Sequence, residues 1–303
     1  MLIVQKHSLL IPLSFDSKTG CEYRYIKNTY QMFSTNIQKE LTRYLIPLSK
    51  ISGIMLPKGL FYHLGQYFIL MSKVFAQPEK HKIYYKQFVK EIENLGISSI
   101  GIVAIISTFM GAVITIQTAY NTENPLLPSY LIGVAARDSI LLEFSSTMVA
   151  LILAGKVGSS IASELGTMRI TEQIDALEMM GVNSSGYLIL PKILAAMFFN
   201  PFLNLVSMTV GIFGGWLVGT WVGVVTTQQY LFGIRYAFNA YYITYSIIKT
   251  IIFAFIITSV SAYYGYNVEG GSIEVGRSST RAVVYSCVVI LMFNLILTQL
   301  LLS

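Results

Sequence analysis

The chain has 303 residues, of which 54% are hydrophobic and only 12% charged, whereas about 25% of the residues of a soluble domain are charged. This composition excludes an ordinary soluble domain and predicts an integral membrane protein. The net charge of +6 belongs to the N-terminal third, because residues 1–96 hold 13 Lys and Arg against 6 Asp and Glu, and residues 97–303 hold 8 against 9. A basic segment before a first span favours the cytoplasmic side, beside anionic lipid, over nucleic-acid binding. A merely solvated basic tail fits residues 1–58 equally well.

Cysteine and histidine usage predicts neither disulfides nor metal. Cys21 and Cys287 lie in a basic and an apolar segment, so a disulfide framework is not expected. The three histidines lie far apart and lack the spacing of metal ligands. The first twenty residues lack a long apolar core that ends in a small-residue cleavage site, so we predict no signal peptide.

The segment before the first apolar run divides into two parts. Residues 1–58 form a basic extension, either disordered or an overextended start. Residues 59–95 are predicted to form an amphipathic helical region in the membrane interface, because Phe61, Leu64, Phe68 and Met71 recur at helical spacing and Lys-rich turns follow. A short soluble helix pair is the alternative.

Residues 96–303 are predicted to form an all-α domain with five transmembrane helices, since about 20 apolar residues suffice to span a bilayer. The predicted spans are residues 97–120, 139–161, 187–223, 243–266 and 282–302. The segment 121–138 is predicted to be a polar turn. An N-terminus inside and a C-terminus outside place more Lys and Arg in the inner loops, which hold Lys156, Arg169, Lys192, Arg277 and Arg281, than in the outer loops, which hold Arg137 and Arg235.

An acidic patch, ELGTMRITEQIDALEMMGV (164–182), interrupts the apolar sequence on the predicted inner side. Thr171 is expected to cap a short helix, 171–180, whose first turn carries Glu172 and Asp175, and Gly181 is expected to end it. Thr171, Asp175 and Glu178 would share one polar face. Such a helix suits either a docking surface or an ordinary connection along the membrane.

Four polar residues lie within the predicted spans, where an ionisable group normally faces a cavity or a partner. Gln117, Glu143, Lys249 and Asn294 each belong to a different span and are candidates for a lipid cavity. In the alternative, Glu143 lies at the outer interface and Lys249 extends its ammonium outward.

Two further patterns bear on packing and energy supply. Gly211, Gly215, Gly219 and Gly223 recur every four residues, which predicts a helix face for close packing, either within one subunit or between two. The stretch GKVGSS (155–160) is not a phosphate-binding loop, because that motif needs GxxxxGK followed by Ser or Thr. The chain is therefore not expected to be an enzyme or to bind a cofactor, and any ATP and Mg²⁺ would be bound by a partner.

The sequence resembles the MlaE-type permeases, which are membrane subunits of ABC lipid transporters linked to MCE proteins. The resemblance covers roughly residues 59–303 and rests on ASELGTMRITEQIDALEMMGV with YLILPKILA, supported by STFMGAVITIQTAY, LILAGKVGSSIASELG, VGIFGGWLVG and GRSSTRAVVYS. It departs at residues 1–58 and at LLEFSST, where Leu142 occupies a position that is arginine in many members.

The resemblance implies a homodimer in the inner membrane of a Gram-negative bacterium, with a coupling helix between spans two and three that docks on a cytoplasmic ABC ATPase. The residues implied in or beside that contact are Glu164, Arg169, Thr171, Glu172, Gln173, Asp175 and Glu178. A periplasmic MCE-domain protein and a phospholipid substrate are the other implied partners. The positions of Glu143, Lys249 and Asn294 correspond to polar sites of the family's transport cavity.

The predicted function is thus the permease subunit of an ATP-driven phospholipid transporter that serves outer-membrane lipid homeostasis. Two alternatives stay open on the residues alone. One is a proton-coupled secondary transporter that uses Glu143 and Lys249, and the other is a membrane anchor of a complex without a transport role.

Overall fold

A computed structural model describes residues 57–76, 81–122 and 128–302. Every regular element in these ranges is a helix. Their bounds are α1 Pro57–Ala76, α2 His81–Asn121, α3 Tyr130–Ile170, α4 Gln173–Met179, α5 Ser184–Trp221, α6 Thr227–Arg235, α7 Tyr241–Tyr266 and α8 Ser272–Leu302. The predicted basic extension lies outside the described residues, apart from the first two positions of α1.

Five of the described helices, α2, α3, α5, α7 and α8, are long and apolar enough to cross a membrane. The predicted all-α fold with five spans is therefore confirmed. The helices extend beyond the predicted spans: residues 130–138 belong to α3 rather than to the expected polar turn, and α8 begins ten residues before position 282. A helix satisfies its own backbone hydrogen bonds, so it continues through polar sequence beyond the apolar core of the span.

The chain separates into two units, residues 1–65 and 66–303. In the described part of the first unit, Phe61 and Leu64 are exposed. In the second unit, Phe68 is exposed as well, whereas Met71 is buried with Leu70 and Val74. The predicted apolar stripe is thus wrong at Met71, because this residue lies on the face that packs into the core. Whether the exposed face enters a membrane interface stays a prediction.

The spans differ in regularity. α3 contains two π-helical segments, Ile140–Met148 and Ala154–Gly158, and α5 contains Pro191 and Pro201. Wider π turns and internal prolines are common places for a helix to bend or adjust. α7 is a regular α-helix over all 26 of its residues. It is therefore the stiffest connection between the two ends of the bundle among these three spans.

α2 and α5 pack backbone to backbone through glycine. A Cβ atom added at Gly111 would lie 1.9 Å from the carbonyl oxygen of Gly211, and one at Gly214 would lie 2.4 Å from the carbonyl oxygen of Thr108. Gly215 and Gly219 face Thr115 on the same helix α2. These glycines thus lie at a contact within one chain, as small residues do where membrane helices approach closely.

Gly223 does not belong to this packing face. α5 ends at Trp221, and Gly223 has a φ of +78° with nothing within 4 Å of the place where a Cβ atom would lie. The left-handed conformation lets the Gly223 amide donate to the Thr220 carbonyl, which terminates the helix. The prediction that it lines the packing face was therefore wrong, because the helix is shorter than the apolar run.

Candidate functional site

A network of polar side chains is centred on the Glu143 carboxylate and joins α3, α7 and α8. Lys249 Nζ lies 3.0 Å from Glu143 Oε1, and Asn294 Nδ2 donates to Glu143 Oε2 at 3.1 Å. Thr298 donates to Oε1 at 3.1 Å, and the Tyr245 hydroxyl lies 3.3 Å from the same atom. The structure thus brings together three of the four candidate cavity residues.

The fourth, Gln117, does not join this network. It is exposed on α2 and takes no part in the hydrogen bonds around Glu143. Its distance from the cluster follows from the packing of α2 against α5 rather than against α7 and α8. A role for Gln117 at the lipid stays a prediction.

Lys249 points into the protein. Its side chain is 0% exposed, whereas that of Glu143 is 38% exposed. The Lys249 ammonium also lies 2.9 Å from the Tyr245 hydroxyl, one helical turn away on α7, and over the Tyr245 ring at 4.8 Å. A buried ammonium is costly without a counter-charge, so the carboxylate is what allows Lys249 to stay inside. Of the two charged groups in the network, Glu143 is therefore the one that is accessible at the protein surface.

The backbone of α3 presents this carboxylate from an irregular segment. Glu143 lies within the π-helical stretch Ile140–Met148. π turns inside α-helices occur frequently at functional sites, because the extra residue per turn re-aims neighbouring side chains. Thr147, one turn along, donates to Asn294 Oδ1 at 3.2 Å and so completes the contact between α3 and α8.

The acidic patch also forms a short helix, α4, but its start differs from the prediction. Thr171 does not cap α4, because its hydroxyl donates back to the Thr167 carbonyl at the end of α3. Glu172 precedes α4 in a left-handed conformation with a φ of 59° and without a side-chain cap. The chain therefore changes direction at Glu172, where an L-residue is strained by roughly 1–2 kcal/mol.

The end of α4 agrees with the expected glycine stop. Gly181 has a φ of +77°. Its amide donates to the Glu178 carbonyl at 2.9 Å, and the Val182 amide donates to the Leu177 carbonyl at 3.1 Å. These two bonds form a Schellman motif, which satisfies the last carbonyls of the helix.

The residues predicted for the coupling contact separate into two groups. Three of the acids are bound inside this chain: Asp175 pairs with Arg169, Glu178 accepts from Ser184 and Tyr266, and Glu164 pairs with Lys192. Thr171, Glu172 and Gln173 form the other group and are exposed, as are Met179 and Met180, which were not in the predicted set. Met179 is 90% exposed, whereas Ile174 is fully buried and anchors α4. The expected polar face of Thr171, Asp175 and Glu178 is exposed, although two of its carboxylates are also bound within the chain.

Glu178 stays ionised over a wider pH range than an ordinary glutamate. The hydrogen bond from Ser184, followed by that from Tyr266 and the positive charges of Arg169 and Lys73, lowers its pKa below 4.5 against a smaller opposing effect of partial burial. Ser184 begins α5 and Tyr266 ends α7, so one carboxylate links α4 to two spans.

Two buried cations, which the sequence indicated only as loop charges, also connect helices in the structure. Lys192 lies 2.7 Å from both Glu91 and Glu164, and thus joins α2, α3 and α5. Arg137 donates to the carbonyls of Ile234 and Tyr236, each at 2.8 Å, and so satisfies the C-terminal end of α6. The one signal in the sequence was the neighbouring acid Asp138, which pairs with Arg137 at 2.8 Å.

Five apolar spans with a polar network between three of them define a multi-pass membrane protein of the permease type. A family model described as Permease MlaE matches residues 88–300. The chain therefore belongs to the MlaE permease family.

Curated relatives agree with this assignment. The chain is 32% identical to a probable ABC transporter permease protein of Rickettsia bellii, with 78% of this chain and 91% of the relative covered. It is 30% identical to the intermembrane phospholipid transport system permease protein MlaE of Haemophilus influenzae, with 76% and 88% covered. It is 32% identical to the chloroplastic protein TRIGALACTOSYLDIACYLGLYCEROL 1 of Arabidopsis thaliana, with 76% and 66% covered.

Proposed function

We propose that this chain is the permease subunit of an ATP-driven phospholipid transporter, in which the network around Glu143 lines the path of the lipid. The observation that carries the proposal is the half-exposed carboxylate paired to a fully buried ammonium, inside the spans of a chain of the MlaE permease family. A paired charge within a span supplies a polar surface for a headgroup without leaving an unpaired ion in the membrane. The relative in Haemophilus influenzae is named for phospholipid transport.

The energy would come from a separate cytoplasmic ATPase that binds α4. The sequence contains no GxxxxGK motif followed by Ser or Thr, and relatives are named ABC transporter permeases. The chain offers an exposed acid, Glu172, just before α4, and the exposed thioethers of Met179 and Met180 at its end, which adapt readily to a protein partner. ATP and Mg²⁺ would be bound by that partner, whose cycle would shift this chain between two conformations.

A second copy of the chain is the expected partner within the membrane. Only 11% of the most apolar stretch of α8 is buried, against 39% to 56% in the other four spans. The α8 side chains that form the network, Asn294 and Thr298, lie on the same helix as this open apolar surface. A homodimer would therefore enclose the network between two copies, with the remaining surface in lipid. The inner membrane of a Gram-negative bacterium, an inside N-terminus, an outside C-terminus and a periplasmic MCE-domain partner complete the proposal.

Co-purification tests the proposal with variants of α4. The chain, purified from its native membrane, is expected to bring an ABC ATPase with it. Glu172→Lys combined with Met179→Lys should abolish that association, whereas Glu269→Lys, which changes an exposed acid in the loop between α7 and α8, should not. Glu172→Gly provides a fold control, because glycine relaxes the left-handed backbone at this position. Retention of the ATPase by the double variant would show that α4 is not the docking site.

The rival candidate is a proton-coupled transporter, favoured by the Glu143–Lys249 pair at 3.0 Å within the spans. It predicts lipid movement that follows a proton gradient, needs no ATP and stops in Glu143→Gln. A membrane anchor without transport predicts no lipid crosslinks from a photoreactive residue at position 294. ATP-dependent transfer with crosslinks at 294 would exclude both.

A further inference from the structure

The Glu178 carboxylate occupies an unusual position for a residue of an exposed connecting helix. Glu178 Oε1 accepts from the Ser184 hydroxyl at 2.8 Å and from the Tyr266 hydroxyl at 2.9 Å. The two hydroxyls also lie 2.7 Å from each other. The three side chains therefore form a closed triangle between α4, the start of α5 and the end of α7.

Beside this triangle, the Glu178 end of α4 borders a cleft, whereas Ile174 on the same helix is buried in the core. The cleft is lined by polar side chains that include Lys73, Glu178, Ser184 and Asn267. A hydrogen bond to an ionised acceptor is stronger than one between two neutral groups. The hydrogen bonds of Glu178 are thus the tie between α4 and the end of α7 that the structure describes.

α7 connects this tie to the polar network. Tyr266 and Lys249 are 17 residues apart on α7, which is about 25 Å at 1.5 Å per helical residue. α3 and α5 are less regular, because a π-helical segment of α3 lies between its C-terminal end and Glu143, and α5 contains two prolines. α7 therefore offers a route from Tyr266 to Lys249 that contains neither a π-helical segment nor an internal proline.

We propose that Glu178 is a positioning residue that transmits movement of α4 through Tyr266 and α7 to Lys249 and its network. The inference rests on the proposed function, since it presumes that a partner moves α4. It assigns Glu178 to force transmission within this chain, whereas Glu172 and Met179 face the partner. Each polar side chain of the triangle then has a role: Glu178 accepts, and Ser184 and Tyr266 attach the two spans.

Tyr266→Phe and Glu178→Ala test the proposal in the purified complex with its ATPase. Both should keep the ATPase bound, and both should lower the amount of lipid moved per ATP hydrolysed by about fivefold, at the low end of measured couplings between sites. Combining them should cause no further loss, because both remove the same contact. Glu178→Gln retains an acceptor oxygen and should restore most of the ratio, which a loss of fold would not allow.

Three outcomes would overturn the inference. Loss of the ATPase from Glu178→Ala would make Glu178 a contact residue, and unchanged lipid per ATP in both single variants would show that α4 acts through another route. If the losses of lipid moved per ATP in the two single variants add in the double variant, Glu178 and Tyr266 act independently. Failure of the proposed function would look different from failure of this inference. In that case the wild-type chain would bind no ATPase or would show no ATP-dependent lipid movement.

Discussion

Glu143→Ala would leave the Lys249 ammonium, which is 0% exposed, without a counter-charge. Removing one partner of a buried ion pair typically costs about 3–5 kcal/mol, because the remaining charge is uncompensated. Lys249→Met is expected to cost less, roughly 1–2 kcal/mol, since Glu143 is 38% exposed and keeps the hydrogen bonds from Asn294 and Thr298. The structure therefore predicts that the half-exposed acid matters more to stability than its buried partner.

The double variant Glu143→Ala with Lys249→Met removes both charges. It should be more stable than Glu143→Ala alone, because the unpaired ammonium is gone. Unfolding of the purified chain in lipid nanodiscs, followed by heat or denaturant, measures all three variants against wild type. The reasoning is refuted if Lys249→Met is the most destabilised variant, or if the two single effects simply add.

Three further predictions follow from other parts of the fold. Gly111→Ala should destabilise the chain by about 1–3 kcal/mol, because its Cβ would meet the Gly211 carbonyl. The control Gly101→Ala, whose Cβ would have nothing within 4 Å, should stabilise the chain by about 0.5–1 kcal/mol. Equal effects of the two variants in an unfolding assay would contradict the close packing of α2 on α5. Arg137→Met should leave two carbonyls at the end of α6 without donors, which faster hydrogen exchange in α6 would reveal and unchanged exchange would exclude. Because the pKa of Glu178 is lowered, its stabilising effect should be present above about pH 4.5 and be lost as the pH falls through the folded-state pKa. The unfolding free energies of wild type and Glu178→Gln should therefore converge at acid pH. A difference that stays constant with pH would contradict the prediction.

The five spans were predictable because the length of an apolar run is a strong signal. Their ends were not, since α3 and α8 extend into polar sequence where backbone hydrogen bonds, rather than hydropathy, decide the boundary. Thr171 illustrates the same limit. Its sequence position suits an N-cap, but α3 continues to Ile170 and uses the Thr171 hydroxyl on its own last turn.

The polar network was predictable in composition but not in geometry. One acid, one base and an amide in separate spans indicated a cluster, and Glu143, Lys249 and Asn294 do meet. Gln117 had the same character in the sequence, yet the side of α2 on which it lies is set by the glycine contact with α5. The two ion pairs of buried Lys192 could not be predicted either, because its carboxylate partners lie 28 and 101 residues away along the chain.

ATP-dependent transfer of a labelled phospholipid is the most direct test of the central claim. The complex purified through this chain would be reconstituted into proteoliposomes and compared with its Lys249→Met variant. The account predicts transfer that needs ATP hydrolysis, ignores a proton gradient and falls sharply in the variant. Transfer that continues without ATP, or that is unchanged in Lys249→Met, would contradict it.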